Sequence, residues 1–153
     1  MVDLKMSWFK SQTEHLDKPQ SILHLGAGAC HELEHYQTLQ PKQIFLVEPN
    51  PELVSVLRQK TTSMRNVSIL DCGVSPKLSI DRLNVLVDPN FSSLYQPTGL
   101  YELMPGLGQP HQIQVDIKLA AKLVEELSLD QSQSNWLIVD TPGVEADVIG
   151  WIE

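Results

Sequence analysis

The chain has 153 residues, 42% of them apolar and 20% charged, with two cysteines and a formal net charge of −8. This length supports one domain with a real core and is short for two, and the composition is neither that of a disordered chain nor that of a disulfide-stapled mini-fold. The acidity argues against a broad nucleic-acid surface and suits a cationic ligand.

No apolar run approaches the ~20 residues of a membrane span, and the start MVDLKMSWFK lacks a signal-peptide core. A cytoplasmic protein with no membrane partner is expected. Cys30 and Cys72 lack metal-type spacing and read as free thiols of a reducing compartment.

In chain order, an amphipathic helix is predicted from Asp3 to Leu16, with Leu4, Trp8 and Phe9 on its buried face, and Lys18-Pro19 ends it. The core then spans residues 21–153. Ser21-Ile22-Leu23-His24-Leu25 reads as a strand, followed by a glycine turn and a helix from Cys30 to Leu39. Ile44-Phe45-Leu46-Val47 is a continuous apolar run, the pattern of a strand buried on both faces of a parallel sheet. Asn50 and Pro51 supply an N-cap and a first-turn proline for a helix carrying Leu53, Val54 and Leu57 on one side.

A third strand over Asn66–Leu70 ends at Asp71. Strand, helix, strand, helix, strand is the mononucleotide-binding half of a doubly wound α/β sheet, so a Rossmann-like, mostly parallel sheet is expected. Beyond it, Leu83–Val87 and Ile113–Val115 suggest strands, and proline- and glycine-rich Phe91–Gly108 reads as a long loop of the kind that carries function. Ile117–Leu127 has helical composition and spacing, Trp136–Val139 is a last buried strand ending in Asp140, and a helix begins at Val144.

The stretch GAGACHELEH, Gly26 to His35, supports two incompatible readings. Its second half spells H-E-x-x-H, where two helical histidines would bind zinc and the glutamate would deprotonate a metal-bound water. Here His31 lies in the opening turn and the one later histidine, His111, falls in a loop-rich region, so no metal is expected. The first half is a glycine turn between strand and helix, and Glu48 closes the next strand about 20 residues later, where a ribose-binding acid belongs. The third glycine of G-x-G-x-x-G is replaced by His31. That glycine serves close helix–strand packing under a pyrophosphate, so NAD and an oxidoreductase fit less well than a ligand with adenosine and no phosphate, such as S-adenosylmethionine.

From Ser21 onward the chain resembles S-adenosylmethionine-dependent methyltransferases of the FkbM family. LHLGAGAC resembles the family's acid-V-G-A-N-x-G motif, VEPNPELVSVL its F-E-P-N-P segment, and VDTPGVEADVI its I-D-V-E-G-A-E segment, with NFSSL similar to a serine-rich stretch between them. The resemblance implies O-methylation of a small molecule or sugar. It implies cofactor contacts from Gly26, Ala27 and Gly28, from Glu48 and Pro49, and from Asp71, Cys72 and Asp140. Asp140 would serve a hydroxyl acceptor as base or orienting group, with His24 as second candidate and Glu145 just behind. His24 stands where the family has an acid, and Cys30 replaces a glycine. The family's sheet adds about three strands beyond Asp140, so a shortened or fragmentary sheet is expected, with an exposed edge prone to homo-oligomerisation. A non-catalytic ligand- or protein-binding module is the alternative.

Overall fold

The computed structural model describes residues 4–78, 81–96, 98–99 and 103–150. Its elements run α1 (Leu4–Thr13), β1 (Ser21–Leu25), α2 (Leu33–Leu39), β2 (Gln43–Val47), α3 (Pro51–Thr61), β3 (Val67–Leu70) and β4 (Gly73–Ser75). There follow β5 (Arg82–Val85), β6 (His111–Gln114), β7 (Ile117–Leu119), α4 (Ala120–Leu127), β8 (Asn135–Val139) and α5 (Glu145–Ile149). Among the described residues no helix is long and apolar enough to cross a membrane.

The fold is α/β. β3, β2, β1 and β8 form one parallel sheet in that order, with β1 paired to β2 from Ser21↔Gln43 and to β8 from Ser21↔Asn135. Side chains alternate across these strands, and those of the central β1 and β2 are buried on both faces apart from Gln43, whereas β8, expected to be buried, is an edge strand only partly covered, with Leu137 exposed. Ile22, Ile44 and Leu46 pack with Leu33, Tyr36 and Leu57 of α2 and α3, whereas Leu23, Leu25, Phe45 and Val47 pack with Ala120, Leu123 and Val148 of α4 and α5. Helices therefore cover both sides. The order puts β1 and β8 side by side although β1 next runs to β2 on its other flank, and the connections diverge at that point.

Local chemistry explains several boundaries. The Asn50 side chain accepts a hydrogen bond from the Glu52 N–H at 3.0 Å and Pro51 opens α3, a cap whose loss typically costs about 1 kcal/mol. His24 is tolerated in the middle of a buried strand because the Tyr36 hydroxyl lies in hydrogen-bond contact, 3.1 Å from its Nδ1.

Some expectations need correction. α2 starts at Leu33 and not at Cys30, because Cys30 has a left-handed backbone (φ 43°) that a helix cannot include. α1 ends at Thr13, and Trp8 is 64% exposed; Phe9 alone of the expected face is seen to pack inward, edge-on to Tyr36, while the Leu4 side chain lies outside the described residues. Ile117–Leu119 is a strand, paired in parallel with β4, and only from Ala120 does the chain turn helical. β5 stops at Val85 and pairs antiparallel with β6, leaving Val87 exposed.

Candidate functional site

A cavity of about 390 Å³ opens at the carboxyl ends of β1, β2 and β8, beside the point where the sheet's connections diverge. That is where open α/β sheets bind ligands, and the volume lies in the ~300–1,000 Å³ range of small-molecule sites. Its floor is the glycine turn. Gly26 (φ 75°) packs so closely on the end of β8 that a Cβ there would overlap the Asp140 carbonyl, whereas a Cβ at Gly28 (φ 55°) would meet the Asn90 amide oxygen at 3.8 Å, an ordinary contact.

Glu48 ties this floor to β2. Its Oε2 accepts from the Gly28 N–H and its Oε1 from the Asn50 N–H, each at 2.8 Å, and the residue is buried. Burial raises its carboxyl above the ordinary glutamate value of 4.5, against the opposing pull of those two N–H donors. A carboxylate has about four lone-pair sites, so two remain for a ligand after both backbone bonds are made.

The far wall comes from the segment after β8 and from residues 89–94. Ser93 Oγ donates to the Pro142 carbonyl, and Asn84 of β5 clamps the Ser93 backbone in both directions. Ser92 Oγ and Thr141 Oγ1 are buried in this wall with no hydrogen-bond partner among the described residues, which is the condition of hydroxyls that a ligand would satisfy. Sequence reasoning named the NFSSL and DTPG segments without singling out these two hydroxyls.

Of the residues expected at the site, Gly26, Ala27, Gly28, Glu48, Pro49, Cys72, Asp140 and Glu145 all line the cavity. Asp71 does not; it is exposed and pairs with Arg58 at 3.3 Å, and only its neighbour Cys72 faces inward. His24 does not either. It is buried against Tyr36 and is not among the residues that line the cavity. Cys30 and Cys72 are free thiols in the wall, and burial pushes them up to about 12 and about 11, so both stay protonated at neutral pH.

The H-E-x-x-H pair is not a helical pair. His31 precedes α2 and lines the cavity, whereas His35 lies within α2 against Phe9 and Thr13 of α1.

The charge of the wall is one-sided. Glu32, Glu48, Asp140 and Glu145 line the cavity, and no lysine or arginine is among its described lining residues. No protein-family model, no curated protein and no solved structure matches the chain.

Proposed function

We propose that this chain is a Rossmann-like, FkbM-like domain that binds S-adenosylmethionine and transfers its methyl group to a hydroxyl of a small molecule or sugar. The observation that carries the reading is the acidic cavity at the strand ends. A dinucleotide brings a pyrophosphate, which four carboxylate-bearing residues with no lysine or arginine among the described lining residues would repel. A ligand with a sulfonium and an ammonium group would be attracted.

In this reading Gly26, Ala27 and Gly28 bring backbone against the ligand's amino-acid portion, and the remaining lone pairs of Glu48 accept from its ribose hydroxyls. The bound cofactor supplies a methyl group on sulfur whose leaving group needs no acid. The protein's task is then alignment, with proton removal added for a hydroxyl acceptor. Asp140, exposed and lining the cavity, would orient that hydroxyl and take its proton.

Calorimetric titration with S-adenosylmethionine, S-adenosylhomocysteine and NAD tests this directly. The two sulfur ligands should bind at one per chain and NAD should give no heat. Binding of NAD alone would replace the reading with an oxidoreductase, and binding of none would remove it.

A further inference from the structure

At the edge of the cavity, three side chains of metal-binding type converge. Ligand atoms of His24, Cys30 and Glu32 all lie within 4.8 Å of one another, and all three residues are buried. They come from different pieces of structure: His24 from the centre of β1, Cys30 from the end of the glycine turn, and Glu32 from the cap position of α2.

We propose that His24, Cys30 and Glu32 form a binding site for one divalent ion of the zinc class. Imidazole, thiolate and carboxylate are the three donor types zinc accepts together. A tetrahedral ion with bonds of roughly 2.0–2.3 Å spaces its donors at roughly 3.3–3.8 Å, so the cluster needs to close by at most about 1–1.5 Å. Two further features match. The Tyr36 hydroxyl contacts Nδ1 of His24 and orients the ring; in the tautomer in which Nδ1–H donates to that hydroxyl, Nε2 is the coordinating nitrogen, held by a second contact as metal-bound histidines usually are. Cys30 and Glu32 also line the cavity, so a fourth position is open to water or ligand from that side.

Cys30 itself is the odd residue of the turn. Its φ of 43° is the left-handed conformation that favours glycine, yet its side chain is buried. A thiol held there against its backbone preference is accounted for if it ligates an ion. The site does not use the two histidines of H-E-x-x-H, since His35 faces α1 and His31 is exposed. Coordination would join β1, the turn and α2 at one point and stiffen the floor under the ligand.

The experiment is titration of the chelator-stripped full chain with Co²⁺, followed by displacement with Zn²⁺. One Co²⁺ per chain should bind with a thiolate-to-cobalt charge-transfer band and visible bands of tetrahedral intensity, and Zn²⁺ should abolish both. Cys30→Gly removes the thiol while relieving the backbone, so this variant should fold at least as well, shown by circular dichroism, and lose the charge-transfer band. Glu32→Gln should weaken binding at least tenfold, and H31Q and H35Q should leave it unchanged. The proposal is overturned if wild-type protein binds neither ion stoichiometrically, if the band survives C30G, or if it disappears in H31Q or H35Q. None of these readouts depends on methyl transfer or cofactor binding, so the proposed function stands or falls separately.

Discussion

Both oxygens of Glu48 are engaged before any ligand arrives, one by the Gly28 N–H and one by the Asn50 N–H. Glu48→Ala should therefore weaken S-adenosylhomocysteine binding by more than ~1.4 kcal/mol, a tenfold change, through lost ribose acceptors and a loosened turn together. Because the folded-state pKa of Glu48 is raised, its stabilising contribution is full below the ordinary value of 4.5 and is lost as pH rises through the folded value. Binding has the opposite slope, since the ligand needs the carboxylate: affinity should fall as pH drops through that raised value, and the fall should vanish in Glu48→Gln. A dissociation constant flat in pH for the wild type would contradict the assignment. At Gly26, φ of 75° and the Asp140 carbonyl both exclude a side chain. Gly26→Ala should cost on the order of 1–3 kcal/mol, read as a lowered denaturant midpoint; an unmoved midpoint would show that the turn can give way.

Asn84 holds an element in place from one buried side chain. Its amide donates to the carbonyls of Ser93 and Tyr95 and accepts from the side chains of Gln96 and Gln112. Asn84→Ala strands these partners, so a loss of about 2–3 kcal/mol and faster amide exchange at Ser93 and Tyr95 are expected; protection there equal to wild type would refute the role. Elements whose signals are local were legible in the sequence. β1 and β2 are apolar runs bounded by turn residues, and α3 carries its own cap in Asn50-Pro51. Ile117–Leu119 was misread because its strand character depends on pairing with Gly73–Ser75, far back in the chain, and no helical period betrays that. At the site, the glycine turn, Glu48 and Asp140 were readable because strand ends locate them. Ser92 and Thr141 were not, because their hydroxyls gain meaning only once residues 89–94 lie against the segment after β8. Asp71 was misplaced because the Arg58 guanidinium, two turns along α3, holds it outside.

Within the described residues, the sheet ends at β8, where Leu137 is 41% exposed and neighbours only β1. An apolar edge with unpaired backbone groups invites a second strand. Concentration-dependent self-association in sedimentation velocity is expected, and Leu137→Lys should reduce it; a wild type monodisperse at all concentrations would remove the edge as an interface. The same strand order bears on how the chain acquires its shape. β1, one of the two central strands, has β2 on one flank soon after it is made, but its other flank waits for residues 135–139, over a hundred residues later in the chain. A ribosome synthesising this chain thus exposes a half-finished sheet, bare along a fully buried strand, until residues 135–139 emerge. Chaperone dependence in the cell would then follow from the position of one strand in the gene, independent of how stable the finished protein is.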